Sequence, residues 1–336
     1  MTYSVHRGLA GVWLPSDPRR RLLARAAAAV CLAATVASCE QRPTLPPLPQ
    51  ALTLWSGIAP AFTRDLIGRF NQAIPGIQIR LQTTPGGVVV VSALDRGEGD
   101  LGLTQSDALY LAYRRGIEGN RYPHRNLRGI AVLWFSQYYV VVRRDSPATR
   151  VEDLRGKRVG VIPRGTSGEF SMRILLGAHN MDYTDVEPWF HSTNALMPLL
   201  ARGEIDAALV VYPGVPPALI ATNKTTPLRL IPVTRSVTNR LRSEYPFLRP
   251  VVIAPDQLAG QVGEVETVGA DWLLVCRSQL SESLVYDLTR QLFEDLPALA
   301  EKYYEARAID PYQAAAAPIP LHPGAARYYR EREILR

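Results

Sequence analysis

The sequence predicts an α/β fold in two blocks, each built on a mostly parallel sheet. Three observations point there. The 336 residues exceed the roughly 100 to 200 of one ordinary domain. Short β-type runs alternate with segments of helical periodicity along most of the chain, which is the pattern of strand–helix units. The segments after the candidate strands are short, polar and rich in Gly, Ser, Thr and Pro, at the place where open α/β sheets gather ligands.

Composition narrows the class. With 47% hydrophobic and 21% charged residues, and no apolar run near the roughly 20 residues that span a bilayer, disordered, collagen-like and polytopic membrane classes are excluded. A net charge of +7 invites a nucleic-acid partner. Residues 1–39, however, hold five Arg and one Asp of the chain's 38 basic and 31 acidic residues, which leaves 33 against 30 elsewhere. That surplus of +3, with no dense basic run, argues for no nucleic-acid binding.

Taken in order, residues 1–39 read as an export leader: Arg19, Arg20, Arg21 and Arg25 precede a short apolar stretch that ends Val36-Ala37-Ser38-Cys39. This ending is similar to a bacterial lipobox, so Cys39 is expected to become the lipidated first residue of a membrane-anchored protein. The three adjacent arginines also fit a loose twin-arginine pattern, and the export route stays open. Residues 40–50 are Pro-rich and lack periodicity, as befits a tether.

Folding is expected from residue 51. Residues 52–55 form a strand, followed by a helix whose face is Phe62, Leu66, Ile67 and Phe70. Ile77, Ile79 and Leu81 alternate as a strand, 88–96 form a helix, 100–104 a strand, and 138–142 close the first block. The second block holds strand 158–162, helices 169–177 and 195–202, and strands 207–211 and 228–233. Residues 267–276 form a last strand, and Leu284, Val285, Leu288, Leu292 and Leu296 mark a long amphipathic helix capped by Ser281. There is no internal repeat. With Cys31 in the leader and Cys39 at its end, Cys276 is the lone cysteine of the folded part and reads as a buried strand residue.

Five loops carry the candidate chemistry: Ser56-Gly57, residues 83–87, Gln105-Ser106-Asp107, residues 163–168, and Tyr212-Pro213-Gly214. Several lead straight into helices, whose first turns expose unpaired N–H groups that favour anions. Drawn from two blocks, they point to a small anionic ligand held between two lobes. In the fourth loop Thr166 and Ser167 offer hydroxyls, Gly165 and Gly168 allow close approach, and Arg164 either grips a carboxylate or lies in solvent. Catalytic constellations are missing. Gly165-Thr166-Ser167-Gly168 falls one residue short of a nucleophile elbow, and the histidines are scattered without metal-ligand spacing. Neither a dinucleotide fingerprint nor a phosphate loop occurs. Glu98-Gly99-Asp100 and Glu204-Ile205-Asp206 read as turn residues before strands. The expectation is no enzyme, no cofactor and no metal.

Four phrases then carry a resemblance: residues 94–116 (LDRGEGDLGLTQSDALYLAYRRG), 151–168 (VEDLRGKRVGVIPRGTSG), 201–216 (ARGEIDAALVVYPGVP) and 320–331 (PLHPGAARYYRE). Together they resemble the TAXI family, the extracytoplasmic solute receptors of tripartite ATP-independent periplasmic (TRAP) transporters, over nearly all of 51–333. The resemblance implies a two-lobed periplasmic-binding-protein-like fold (type II) with the ligand cleft between lobes, no catalysis, and small acidic ligands such as glutamate or related carboxylates. By motif position it carries over Ser56, Gly57, Gln105, Ser106, Thr166, Ser167, Gly168, Tyr212 and Pro213. The phrase around His322 reads as a structural C-terminal segment.

Lobe one is expected from 51–143 plus 265–336 and lobe two from 144–264. The resulting reading is a lipid-anchored, monomeric receptor that captures a small anionic solute and delivers it to a TRAP-type membrane permease. The rival is a ligand-sensing lipoprotein of the same fold that acts on a signalling partner.

Overall fold

β1 (Gln50–Ser56) opens the folded part with Leu52 and Leu54 buried in alternation. The structure, a computed structural model, describes residues 50–117 and 119–335. Cys39 and the leader lie outside the described residues, as does the tether up to residue 49. α1 (Pro60–Ala73) buries Phe62, Leu66, Ile67 and Phe70, the face its periodicity defines. β2 (Ile77–Thr83), α2 (Gly87–Asp95), β3 (Leu101–Gln105) and α3 (Ser106–Arg115) follow. β4 (Leu127–Arg143) is 17 residues long.

Lobe two then supplies β5 (Arg158–Val161), α4 (Ser167–Ala178), β6 (Glu187–Phe190), α5 (Thr193–Arg202) and β7 (Ala207–Tyr212). α6 (Pro217–Thr225), β8 (Leu228–Ile231), α7 (Arg235–Glu244) and β9 (Leu248–Ile253) complete it. β10 (Val265–Arg277) returns the chain to lobe one, where α8 (Glu282–Lys302), α9 (Tyr304–Arg307) and α10 (Pro323–Glu331) end it.

Lobe one's sheet runs β2-β1-β3-β10-β4. β1 pairs in parallel with β2 and β3, while β10 is antiparallel to both β3 and β4. In lobe two, β7 is antiparallel to β4 and parallel to β5, which pairs in parallel with β6. β8 joins β4, and β9 joins β10. Helices cover both faces of each sheet, so most strands are buried on two sides. In lobe one α1 and α8 pack on one face, through Leu66, Phe70 and Leu288, and α2 and α3 on the other, through Val90, Leu94 and Leu109. Met172 and Leu175 of α4 and Leu196 and Leu200 of α5 do the same in lobe two. Two lobes joined by two long strands, with one antiparallel strand inside lobe one's parallel sheet, make the type II architecture that the resemblance implied.

Two features differ from the sequence reading. β4 begins at Leu127, well before 138, because residues 130–134 are a buried apolar run continuous with Tyr138, Val140 and Val142. β4 changes partner from β10 to β7 at Ser136/Gln137, and β10 from β9 to β3 at Ala270/Asp271. The passage between lobes therefore lies inside the two strands, six or seven residues from the boundaries expected at 143/144 and 264/265. Among the described residues no helix is long and apolar enough to cross a membrane.

Candidate functional site

The loops after β1, β2 and β3 of lobe one meet the loop after β5 of lobe two. Their glycines set the spacing. A methyl group on Gly57 would stand 2.5 Å from the Thr84 carbonyl oxygen and 2.9 Å from Gly86 N, so the first two loops press together. One on Gly86 would stand 2.6 Å from Thr166 Cα, across the lobes. One on Gly87 would meet Ser167 Oγ at 2.1 Å, Thr104 Oγ1 at 2.6 Å and Gln105 N at 3.3 Å.

Gly87, Ser106 and Ser167 are the first residues of α2, α3 and α4, so three helix N-termini converge here from two lobes. Neither α2 nor α3 has a side-chain cap. Part of each first turn is spent, Val89 N–H on Gly86 O at 3.1 Å and Ala108 N–H on Asp107 Oδ1 at 2.6 Å, while the positive ends of the helix dipoles reinforce one another. Two side chains lie at the same junction with hydrogen-bonding capacity unmet: Ser167 Oγ, in a residue 1% exposed, and Gln105 Nε2, in one 0% exposed. Such buried groups cost about 1 to 3 kcal/mol each unless something binds them.

Beneath them, Ser171 donates to Asp107 Oδ2 and Ala108 N–H donates to Asp107 Oδ1 at 2.6 Å. Burial nevertheless dominates and pushes the Asp107 carboxyl up to about 7. Tyr138, fully enclosed beside it, has its phenol pushed well up by burial and by the Asp107 charge. Ser106 Oγ accepts from Asp271 N–H at 3.2 Å and so ties the start of α3 to β10.

The expected site residues divide. Gln105, Ser106 and Ser167 meet at the junction, with Gly57 bearing on it through Gly86. Ser56 spends its hydroxyl locally: it donates to Ile58 O at 3.0 Å and accepts from Ile58 N–H at 3.3 Å. α4 starts at Ser167, two residues before the position read from the sequence, which makes Thr166 its N-cap. Thr166 Oγ1 accepts from Glu169 N–H at 3.1 Å and donates to Pro163 O at 2.6 Å, so its only hydroxyl proton is used. Gly168 makes room for Ile162 and Val211 within lobe two. Arg164 is exposed and lies over the rings of Phe190 and Tyr183, 4.5 and 5.6 Å from their centroids.

Tyr212 and Pro213 lie elsewhere on the cleft, on a cavity of ≈ 300 Å³ beside the junction. Ile58, Ala59 and Pro60, at the uncapped start of α1, line it together with Val211, Tyr212 and Pro213. Trp134 and Trp272 of the crossing strands, and Tyr304 and Glu305, complete the lining. Tyr304 Oη donates to Pro213 O at 2.6 Å, a direct bond between lobes.

Sequence reasoning missed Trp134, Trp272 and Tyr304, which come from strand interiors and a one-turn helix. It also missed Asp107 and Ser171 as a buried pair, although Asp107 belongs to the loop it singled out. The acidic turn residues are structural. Asp100 accepts from Thr53 N–H at 2.8 Å and pairs with Arg277, and Asp206 accepts from Arg158 N–H at 2.9 Å. His322 caps α10, with Nδ1 accepting from Gly324 N–H at 3.3 Å. Cys276 is buried and its thiol is pushed far up by desolvation. Among the described residues no group of three or more His, Cys, Asp or Glu is placed to hold a metal ion.

Known proteins bear on this geometry in three ways. Over 61 residues the chain is 39% identical to a proposed binding protein of Brucella abortus (strain 2308). That match takes in 18% of this chain and 19% of the relative, about a fifth of its length. A structure from Bordetella bronchiseptica RB50 superposes with a TM-score of 0.51 at 13% identity, over 84% of this chain and 98% of that one. XAC2383 from Xanthomonas citri gives 0.50 at 12% identity, over 84% and 99%. At such identities the two structures speak for the fold alone. The NMT1-like family matches residues 58–332, a span that takes in most of both lobes together with Gly87, Gln105, Ser106 and Ser167, so the chain belongs to the NMT1-like family.

Proposed function

We propose that the chain is an extracytoplasmic solute receptor that closes two lobes on a small anionic solute, and that it performs no catalysis. The observation that carries this is the junction of three helix N-termini, where Gln105 Nε2 and Ser167 Oγ are buried without partners. A carboxylate or a similar oxyanion would accept from both groups and from first-turn N–H groups not already engaged, and the converging dipoles favour its charge. Since contacts to such a solute come from both lobes, it has higher affinity for the closed arrangement and shifts the population toward it.

Within the NMT1-like family we assign the chain to the TAXI receptors on the four phrases given above. Its partner is then a TRAP-type permease, and lipid on Cys39 holds it at a membrane. A single acyl chain binds a bilayer only marginally, so the mature amino terminus carries more than one.

Native mass spectrometry of the protein purified from its own organism tests both parts. The expected spectrum shows one small acid per chain, released on denaturation and lost from a Gln105→Ala/Ser167→Ala variant, with acyl chains on Cys39. A spectrum with no retained acid, or an acid retained equally by the variant, overturns the receptor reading as placed here.

A further inference from the structure

The cavity beside the junction is small, ≈ 300 Å³, at the lower end of the range for small-molecule sites, about 300 to 1,000 Å³. Its chemistry differs from that of the junction. Two of its four aromatic residues have their polar edges engaged. Trp272 Nε1 donates to Ser136 Oγ at 3.0 Å, and Tyr304 Oη donates to Pro213 O at 2.6 Å. What these two can still offer an occupant is ring surface. Phe62 stands edge-on behind Trp134, with centroids 5.5 Å apart, and fixes that wall in place. Glu305 adds a carboxyl to the lining, which disfavours a second negative charge in the cavity.

The cavity and the junction are adjacent. Ile58, which lines the cavity, is bonded to Ser56, next to the Gly57 that presses on Gly86. Val211 lines the cavity and would be 3.3 Å from a methyl group on Gly168. A molecule with its charge at the helix N-termini would therefore project its remainder between Ile58 and Tyr212. We infer that the solute is a carboxylate or similar oxyanion with an apolar body the size of one aromatic ring, seated against Trp272, Trp134 and Tyr212. This rests on the receptor reading above and specifies its substrate class. Ring faces contribute dispersion and favour offset or edge-on aromatic partners over aliphatic polar chains.

Titration calorimetry of the purified full-length protein with phenylacetate, benzoate, acetate, succinate and L-glutamate tests it. Burying a ring should tighten binding by about ten- to a hundred-fold, so phenylacetate or benzoate should bind at least tenfold more tightly than acetate and L-glutamate. Ile58→Trp, which fills the cavity from a loop, should remove that preference and leave acetate unchanged. If Ile58→Trp has lost its melting transition, Tyr212→Ala, which removes one wall, should weaken the aromatic acids alone. Succinate or L-glutamate binding as tightly as the aromatic acids would overturn the inference and leave the receptor reading standing. Failure of all five acids to bind would overturn both.

Discussion

Thr166 and Ser167 sit side by side at the start of α4, and their hydroxyls are already committed differently. Thr166 caps the helix, so Thr166→Val should cost about 1 kcal/mol of stability, seen as a melting temperature lower by a few degrees. Affinity measured by calorimetry should change little. Ser167 Oγ is buried and unmatched, so Ser167→Ala should leave the melting temperature unchanged or slightly raised. Its affinity for the solute should fall about ten- to a hundred-fold. Equal effects of the two variants on binding would return Thr166 to the role its sequence position suggested. Asp107 gives a second handle. Its carboxyl titrates near 7 in the folded protein against an ordinary 3.8, so the native state holds a proton that the unfolded chain releases. The stability tied to that proton is complete below 3.8 and is lost as pH rises through 7, by up to about 4 kcal/mol. Denaturant unfolding of the wild type across pH 4 to 7 should show this slope, and Asp107→Asn should flatten it. An unchanged slope in the variant would place the proton elsewhere.

The loops that open α2 and α4 hold the lobes in contact through Gly86. Its backbone is extended, with φ 169°, a conformation any residue adopts. Gly86→Ala should therefore fold within lobe one at little cost, and its methyl group should collide with Gly165 and Thr166 of lobe two. Small-angle scattering with saturating solute should give the variant a larger radius of gyration than the wild type. Identical curves would show that the lobes accommodate the methyl group without separating. How far these elements can be read from the chain depends on how local their causes are. α1 and α8 announce themselves because one face is apolar at helical spacing, and β2 because Ile77 and Ile79 alternate with polar residues. β9 escapes sequence reading: LRPVVI contains Pro250 and exposes half of its side chains, which suits its place beside β10 but resembles a loop. α10 reads from the sequence only as a structural phrase because its start is fixed by His322 and by a contact with α8 that only the fold supplies. The same limit applies to the site. Gln105, Ser106 and Ser167 could be chosen because they follow strands, a local fact. That Trp134 and Trp272, 138 positions apart, would share one cavity follows from strand pairing across the sheet and has no local signature.

Two strands carry every covalent link between the lobes, and they run antiparallel as neighbours, with Gly269 opposite Gln137. A hinge of this kind allows rotation about the paired segment and resists sliding, so solute should change the angle between lobes and leave each lobe's interior as it was. Amide exchange should then change at residues 84–87 and 163–168 and stay constant in β1 and β5. Broad changes in both sheets would contradict the hinge. The position of β10 has a further consequence, for the order of events at the ribosome. It lies between β3 and β4 in the middle of lobe one's sheet, although 134 positions separate the end of β4 from its own last residue. At about 5 to 20 residues per second, synthesis delivers the missing strand roughly 7 to 27 s after β4 is complete. Throughout that interval β3 and β4 have no partner between them, and lobe one cannot seal. A nascent chain is kept open in this way until β10 has been made, whatever its route afterwards. A chain ended at residue 264 should remain protease-sensitive throughout residues 51–136, and one ended at residue 335 should resist.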